Sequence, residues 1–140
     1  MIAKEDQAGL RILIVEDHPF QRAVIAEALR TLGHSHVSTA EEGGSALAQL
    51  RAAWPATDIV ILDLGLPGID GLELIRRIAG ERLAHALILC SAARHAEQQQ
   101  AAALAVARGL RVLGYIDKPM SVRDLEGLIE SYHHEPPPAA

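Results

Sequence analysis

A regular alternation of short apolar runs with longer helical segments constrains the fold most strongly. The apolar runs lie at 11–15, 36–39, 59–62, 86–90 and 110–116. The segments with helical features lie at 18–32, 44–54, 72–78, 92–108 and from 121 onwards. Strands that alternate with helices in this way are typical of a parallel sheet covered on both faces. The sequence therefore predicts an α/β domain in which right-handed crossovers bring the carboxyl ends of all strands to one edge.

Within the helical segments, particular residues predict the boundaries and the buried faces. Gly80 is expected to end the third helix, and Ser121 is expected to cap the last one. The buried face of the first helix is predicted at Val24, Ile25, Leu29 and Leu32. The buried face of the last helix is predicted at Leu125, Leu128 and Ile129.

Length and composition narrow the class of protein. A chain of 140 residues is long enough for one domain with its own core. The net charge of -5 argues against a surface that binds nucleic acid. Cys90 is the only cysteine, which fits a reducing cytoplasm, and the sequence has neither a membrane-length apolar run nor a secretory signal. The Pro-rich stretch 133–140 is expected to be an extended tail or linker.

The third apolar run ends on a carboxylate. Asp63 follows Ile59–Leu62 directly and precedes a turn rich in Gly and Pro. An acidic residue at this place lies where open α/β sheets bind their ligands. Asp is also common in turns, so this stretch alone is equally compatible with a purely structural Asp63.

Polar residues follow four of the five predicted strands. They are Glu16 and Asp17, Asp63, Ser91, and Lys118. The predicted topology brings them together at one edge, where three carboxylates repel one another and need a cation. Oxygen ligands favour Mg2+, while a lysine and a serine hydroxyl suit a phosphoryl group carried by an oxygen nucleophile. Each residue taken singly could instead be a cap, a turn residue or a solvated loop residue.

Five stretches in order make the sequence similar to the receiver domain of two-component response regulators, over residues 10–132. They are Ile12–Asp17, Asp58–Asp63, Leu66–Gly71, Leu89–Ala92 and Gly114–Pro119. The resemblance implies a flavodoxin-like (βα)5 three-layer sandwich with strand order 2-1-3-4-5. It also implies a cytoplasmic signalling domain that is not an enzyme beyond its own phosphorylation and dephosphorylation.

The resemblance assigns a role to each polar residue. Asp63 would accept a phosphoryl group from a sensor histidine kinase or a phosphotransfer protein. Glu16 and Asp17 would hold Mg2+ together with Asp63 and the backbone carbonyl of Gly65. Lys118 would contact the phosphoryl oxygens, and Ser91 and Tyr115 would be the two switch residues. The fourth helix, fifth strand and fifth helix would then form the output face.

The chain departs from the usual receiver pattern between Ser91 and Lys118. This segment is longer than usual and predicts an extended fourth helix, while Leu110–Tyr115 replaces a more common acidic ending. These differences argue against the standard dimer through that face, although a homodimer stays open. The stretch Asp17–Arg22 resembles receivers joined to EAL-type cyclic di-GMP phosphodiesterase domains, so a C-terminal effector domain is also expected.

Two other functions are compatible with parts of the pattern. Phosphatases of the haloacid dehalogenase type also use an Asp nucleophile after an apolar strand, but they place a second Asp where this chain has Gly65. A receiver that acts only as a docking module would not need the full set of polar residues, which is present here. The receiver that is switched by phosphorylation is therefore the preferred hypothesis.

Overall fold

Five strands and five helices alternate along the part of the chain that the computed structural model describes, which is 9–66, 70–91 and 95–134. The strands are β1 Arg11–Val15, β2 His36–Ala40, β3 Thr57–Leu62, β4 Ala84–Ser91 and β5 Arg111–Asp117. The helices are α1 Pro19–Thr31, α2 Gly43–Ala52, α3 Gly71–Glu81, α4 His95–Ala107 and α5 Val122–His134. The predicted alternation is confirmed.

The strands form one sheet in the order β2-β1-β3-β4-β5, and every neighbouring pair is parallel. This order confirms the predicted flavodoxin-like architecture. Strand β3 lies at the centre, where Ile61 pairs with Ile14 of β1 and with Ile88 of β4. The chain order reverses between β1 and β3, and this is where open α/β sheets form their binding crevice.

The sheet divides the core into two layers, because successive side chains of a strand point to opposite faces. In β1, Leu13 and Val15 pack on the layer that contains residues of α2, α3 and α4. Ile12 and Ile14 pack on the other layer, which contains residues of α1 and α5. Burial on both faces explains why the central strands are continuous apolar runs rather than alternating ones.

The first helix is rotated slightly from the predicted orientation. Its N-cap is His18, whose side chain accepts a hydrogen bond from the Gln21 N–H. Its buried residues are Ile25, Ala28 and Leu29. The prediction that Val24 is buried is wrong, since this residue is 39% exposed.

The third helix does not end at Gly80, so that prediction is also wrong. It continues through Glu81, and the C-cap is Arg82, which adopts the left-handed conformation at φ 54°. The helix begins after Asp70, whose carboxylate accepts a hydrogen bond from the Glu73 N–H at 2.8 Å. A glycine inside a helix costs only about 1 kcal/mol relative to alanine, which the buried face of this helix readily offsets.

The fourth helix is described from His95 to Ala107, and Gly109 follows it in the left-handed region at φ 85°. The predicted start at Ala92 lies outside the described residues. Gly114, in β5, has φ 154°, and a Cβ there would lie 2.7 Å from a methyl carbon of Leu128. Glycine therefore allows β5 and α5 to pack closely beside a register shift between β4 and β5.

The last helix follows Ser121, whose hydroxyl accepts a hydrogen bond from the Asp124 N–H at 3.3 Å, as predicted. Leu125 and Ile129 are buried, and Leu128 is partly buried. The helix runs through His134, so the predicted tail cannot begin at residue 133. Residues 135–140 lie outside the described part. Among the described helices, none combines the length and the apolar character that crossing a membrane requires.

Candidate functional site

The carboxyl edge of the sheet collects the predicted polar residues. Glu16 and Asp17 follow β1, and Asp63 follows β3. Ser91 is the last residue of β4, and Lys118 follows β5 directly. Although these residues are far apart in sequence, the parallel topology places them side by side, as the sequence predicted.

Three carboxylates form a compact acidic cluster. One oxygen from each of Glu16, Asp17 and Asp63 lies within 4.8 Å of the others. Glu16 and Asp63 are buried, at 1% and 8% exposure, whereas Asp17 is exposed. A cluster of carboxylate oxygens that is open to water on one side fits a hard divalent cation, because such an ion keeps several of its waters.

The ammonium group of Lys118 contacts two of these three carboxylates. Its Nζ donates to Glu16 Oε1 at 2.5 Å and to Asp63 Oδ2 at 3.2 Å. One ammonium against three carboxylates leaves an excess of negative charge in a partly buried place. Lys118 therefore neutralises part of the negative charge, and a further cation would be needed to neutralise the rest.

Asp63 is held by hydrogen bonds to both of its oxygens. Oδ1 accepts from the Gly65 N–H at 3.0 Å and from the Ser91 hydroxyl at 3.1 Å, while Oδ2 accepts from Lys118. A Cβ at position 65 would lie 3.8 Å from Oδ1, which is an ordinary contact distance. The space beside the carboxylate is therefore lined by backbone rather than by a bulky side chain.

Burial and neighbouring charges move the pKa values of the site in different directions. Burial raises the pKa of Glu16, and the nearby Asp63 raises it further, against the opposing effects of Lys118 and the His18 N–H. Burial also acts to raise the pKa of Asp63, but the Gly65 N–H, Glu16 and Lys118 together bring it below its usual value. These contacts thus favour the ionised form of Asp63, which is the form that an oxygen nucleophile requires.

The protonation state of Lys118 follows from the same contacts. Burial opposes the charge on its ammonium, but the hydrogen bond to Glu16 and the negative charges of Asp63 and Glu16 outweigh it and raise the pKa of the lysine. Lys118 therefore remains a cation inside the pocket. It can neutralise negative charge that appears on a group bound next to Asp63.

Backbone hydrogen bonds fix the ends of β1 and β3. The Glu16 N–H donates to the Ala40 carbonyl and the Asp63 N–H donates to the Val15 carbonyl, both at 3.0 Å. The Glu16 carboxylate also accepts a hydrogen bond from the N–H of His18, which is the N-cap residue of α1. The acidic residues are thus carried by the rigid sheet rather than by a free loop.

Tyr115, the second predicted switch residue, is 43% exposed on β5, where it pairs with Leu89 of β4. Its side chain is therefore partly in solvent, while the Ser91 hydroxyl already contacts Asp63. Ala93, which the sequence suggested as a small residue beside the site, lies outside the described residues.

Gln98 was not among the predicted site residues. This α4 residue is fully buried and donates to the Ser91 carbonyl. It lies on the buried stripe that continues with Ala101 and Ala105, at helical spacing. A glutamine on such a stripe of small apolar residues is the signal that could have identified it.

An apolar groove of about 370 Å³ lies beside Lys118, between the first helix and the segment after β5. Its wall includes Phe20, which is 71% exposed, and Val24. Cys90 also lines it, and burial raises the pKa of this thiol to about 11. Lys118 therefore borders both the groove and the acidic pocket.

Comparisons with known proteins agree with this geometry. Among solved structures, the fold is similar to a CheY-like receiver domain protein from Methanospirillum hungatei, with a TM-score of 0.74, 26% identity, and coverage of 89% of this chain and 94% of that one. It is also similar to the response regulator TrrA from Thermotoga maritima in complex with Mg2+-BeF, with a TM-score of 0.72, 30% identity, and coverage of 88% and 98%.

Two of the curated relatives come from Pseudomonas aeruginosa. The chain is 34% identical to the chemotaxis protein CheY over 122 residues, which covers 86% of this chain and 94% of CheY. It is 32% identical to the cyclic di-GMP phosphodiesterase RocR over 124 residues, which covers 89% of this chain but only 31% of RocR. The family model for the response regulator receiver domain matches residues 12–130. The chain therefore belongs to the response regulator receiver domain family.

Proposed function

We propose that this domain is a switch that accepts a phosphoryl group on Asp63 from a phosphohistidine of a sensor kinase or a phosphotransfer protein. The observation that carries the proposal is the arrangement around Asp63, where an ionised carboxylate lies beside two other carboxylates and one lysine. An acceptor that must meet an anionic phosphoryl group needs this supply of cationic groups.

Mg2+ fits the residues that are present. Glu16, Asp17 and Asp63 would hold it through carboxylate oxygens, and the Gly65 carbonyl would supply a further oxygen. The complex of TrrA with Mg2+-BeF supports this assignment for a related receiver. When bound, the ion would neutralise charge on the phosphoryl oxygens and the attacking carboxylate.

The residues of the chain divide the chemistry between them. A carboxylate oxygen of Asp63 forms the new bond to phosphorus, and the bond from phosphorus to the donor imidazole nitrogen breaks. The electron pair stays on that nitrogen, which completes a neutral or protonated imidazole. Lys118 shifts from the carboxylates toward the phosphoryl oxygens, and the Ser91 hydroxyl can donate to one of them, since both groups already contact Asp63.

The switch follows from the new charge. A phosphoryl group adds about -1.5 to -2 charges and three strong acceptors at the place that Ser91 and Lys118 now contact. Movement of Ser91 toward those acceptors would vacate space behind β4, into which the half-exposed ring of Tyr115 would turn. We assign the output face to α4, β5 and α5.

A direct labelling experiment tests the acceptor. Incubation with acetyl phosphate and Mg2+ should give a base-labile mass increase of one phosphoryl group, located at Asp63 by peptide mapping. The Asp63→Asn variant should show none. The matched control is Asp124→Asn, an exposed aspartate of the α5 first turn, which should be labelled like the wild type. Equal labelling of Asp63→Asn would overturn the assignment, and steady release of phosphate from an ester would favour a phosphatase instead.

The apolar groove supplies a contact surface for the phosphodonor protein. Because it shares Lys118 with the acidic pocket, a protein helix that brings its phosphohistidine to Asp63 would lie over Phe20. Phosphorylated kinases, tested one at a time, should transfer the phosphoryl group more slowly to the Phe20→Ala variant than to the wild type. Acetyl phosphate should label both proteins at the same rate. Equal transfer by the kinase that is most active on the wild type would contradict this surface.

The output and the setting are proposed from weaker similarities. The match to RocR, a cyclic di-GMP phosphodiesterase, over 31% of its length supports a receiver that controls an effector domain of this kind. We infer a receiver unit that runs from residue 10 to the end of α5 at His134, a linker after it, and a cytoplasmic setting beside the kinase. Tethering to such a phosphodiesterase domain should make cyclic di-GMP hydrolysis depend on Asp63; equal rates with Asp63→Asn would contradict it.

A further inference from the structure

One buried side chain links the two strand ends that reach Asp63. The Gln98 Nε2 donates to the Ser91 carbonyl at 3.1 Å and to Asp117 Oδ1 at 3.4 Å. Ser91 and Asp117 are partners in the β4–β5 register, and they form the last pair before the strands end. Gln98 thus joins α4 to both members of this terminal pair.

The two side chains that donate to Asp63 lie at this terminal pair or directly after it. The Ser91 hydroxyl donates to Asp63 Oδ1, and Lys118, which directly follows Asp117, donates to Asp63 Oδ2. A displacement of either strand end would therefore move a donor on one of the two oxygens. Gln98 lies where it can transmit such a displacement to α4.

His95 extends the same connection at the start of the helix. Its Nε2 lies 3.3 Å from Asp117 Oδ2, so two α4 side chains three residues apart contact the two oxygens of one carboxylate. Both partners of this outer contact are largely exposed, whereas Gln98 is fully buried. Asp117 is thus contacted by one exposed and one buried side chain of α4.

Packing alone does not call for a glutamine at this place. The neighbours on the helical stripe are Ala101 and Ala105, and the Gln98 Oε1 is buried without a hydrogen-bond partner among the described residues. An apolar side chain of similar size would avoid that unpaired oxygen. The amide is thus explained by its two donated hydrogen bonds rather than by the core.

We propose that Gln98 is a positioning residue that couples the phosphorylation state of Asp63 to the position of α4, through the Ser91 carbonyl and Asp117. The inference rests on the proposed function. When Ser91 moves toward a phosphoryl group, its carbonyl and its link to Gln98 change, and the beginning of α4 moves with them. Without the amide, Asp63 can still be phosphorylated, but α4 no longer responds.

The test compares wild type with Gln98→Met, which keeps the size of the side chain and removes both donors. Gln99→Met is the matched control, because Gln99 is exposed on the same helix. Each protein is labelled with acetyl phosphate and Mg2+, and amide hydrogen exchange in α4 and β5 is compared before and after labelling. Urea unfolding of each unlabelled protein reports stability.

Wild type and Gln99→Met should show a change in α4 exchange on labelling, and Gln98→Met should lose it while remaining labelled and folded. Its labelling rate should fall no more than about fivefold, the effect of one ordinary hydrogen bond. If Gln98→Met is labelled and α4 responds as in the wild type, the coupling is wrong and the proposed function stands. If the wild type is not labelled, both are overturned.

A second variant keeps the test valid if Gln98→Met does not fold. Asp117→Ala removes the carboxylate that His95 and Gln98 contact, at an exposed position outside the core. It should reduce the exchange response of α4 at least in part. An unchanged response in this variant would overturn the role assigned to the β5 end.

Discussion

The central strand β3 has an aspartate at each end, and the two differ in their partners. Asp58, at the amino edge, accepts from the Arg11 N–H and from the Tyr132 hydroxyl, both at 2.9 Å, and lies 3.5 Å from His85. Asp63, at the carboxyl edge, lies among two more carboxylates and Lys118.

The contrast is between a carboxylate that joins parts of the fold and one that is the proposed phosphoryl acceptor. The Asp58 oxygens accept from donors at the start of β1 and near the end of α5, which lie 47 and 74 residues away from Asp58 in the sequence. Asp63 is held close to groups of its own charge, an arrangement that is consistent with the proposed binding of a cation at this edge. The following predictions separate the two cases.

The largest expected effect is an increase in the free energy of unfolding when Mg2+ binds. This increase should depend on the carboxylates at the carboxyl edge of the sheet and not on Asp58. Mg2+ at a hundred times its dissociation constant should raise the free energy of unfolding by about 2.7 kcal/mol, because the ion binds the folded state. Urea unfolding with and without Mg2+ should give this increment for the wild type and for Asp58→Asn. The Asp17→Asn variant should lose most of it. An equal increment in Asp17→Asn would contradict the proposed site.

The next effect belongs to the amino edge. Tyr132→Phe removes the hydroxyl that donates to the Asp58 carboxylate and should lower the free energy of unfolding by about 2 kcal/mol, the value for a hydrogen bond to a charged group. Tyr115→Phe is the control, since Tyr115 is 43% exposed and should change stability little. Acetyl phosphate should still label Tyr132→Phe; loss of labelling would contradict the separation of the two edges.

A third prediction concerns the pH dependence of the same contact. Burial raises the pKa of Tyr132, and the charge and hydrogen bond of Asp58 raise it further. Above the ordinary tyrosine value of about 10, the unfolded chain loses this proton while the folded chain keeps it, so stability falls by about 1.4 kcal/mol per pH unit from this residue. Urea unfolding at a series of pH values above about 10 should show a shallower decline of the free energy of unfolding for Tyr132→Phe than for the wild type. Identical slopes would contradict the assignment.

The last prediction concerns Cys90, which lines the groove beside Lys118. Cys90 is 2% exposed and its thiol pKa is raised to about 11, mainly by burial. Because the thiolate is the reactive form, a thiol reagent at neutral pH should modify the native protein far more slowly than the protein in urea. Equal rates in the two conditions would show that the groove beside Lys118 opens more readily than this structure implies.

Much of the fold and the site could be predicted because both depend on local patterns. Apolar runs bounded by Gly and Pro located the strands, and their alternation with helices fixed a parallel sheet. The polar residues that follow those strands then had to meet at one edge. The family resemblance supplied the roles of Gly65 and Tyr115, which no pattern of residue types gives.

The errors arose where local signals compete with packing. Gly80 has a low helix propensity, yet α3 continues to Glu81 because its buried face packs on the core. Val24 has helical spacing, but the orientation of α1 on the sheet leaves it 39% exposed. His133 and His134 precede a Pro-rich stretch, and the helix nevertheless includes them.

By itself, the sequence determined the order of strands and helices and the edge at which Glu16, Asp17, Asp63 and Lys118 meet, because hydrophobic periodicity and chirality leave few arrangements open. Only the tertiary structure decided that Tyr132 contacts Asp58 and that Gln98 joins the ends of β4 and β5. Those contacts depend on how helices are rotated on the sheet, and that rotation results from the packing of the whole core.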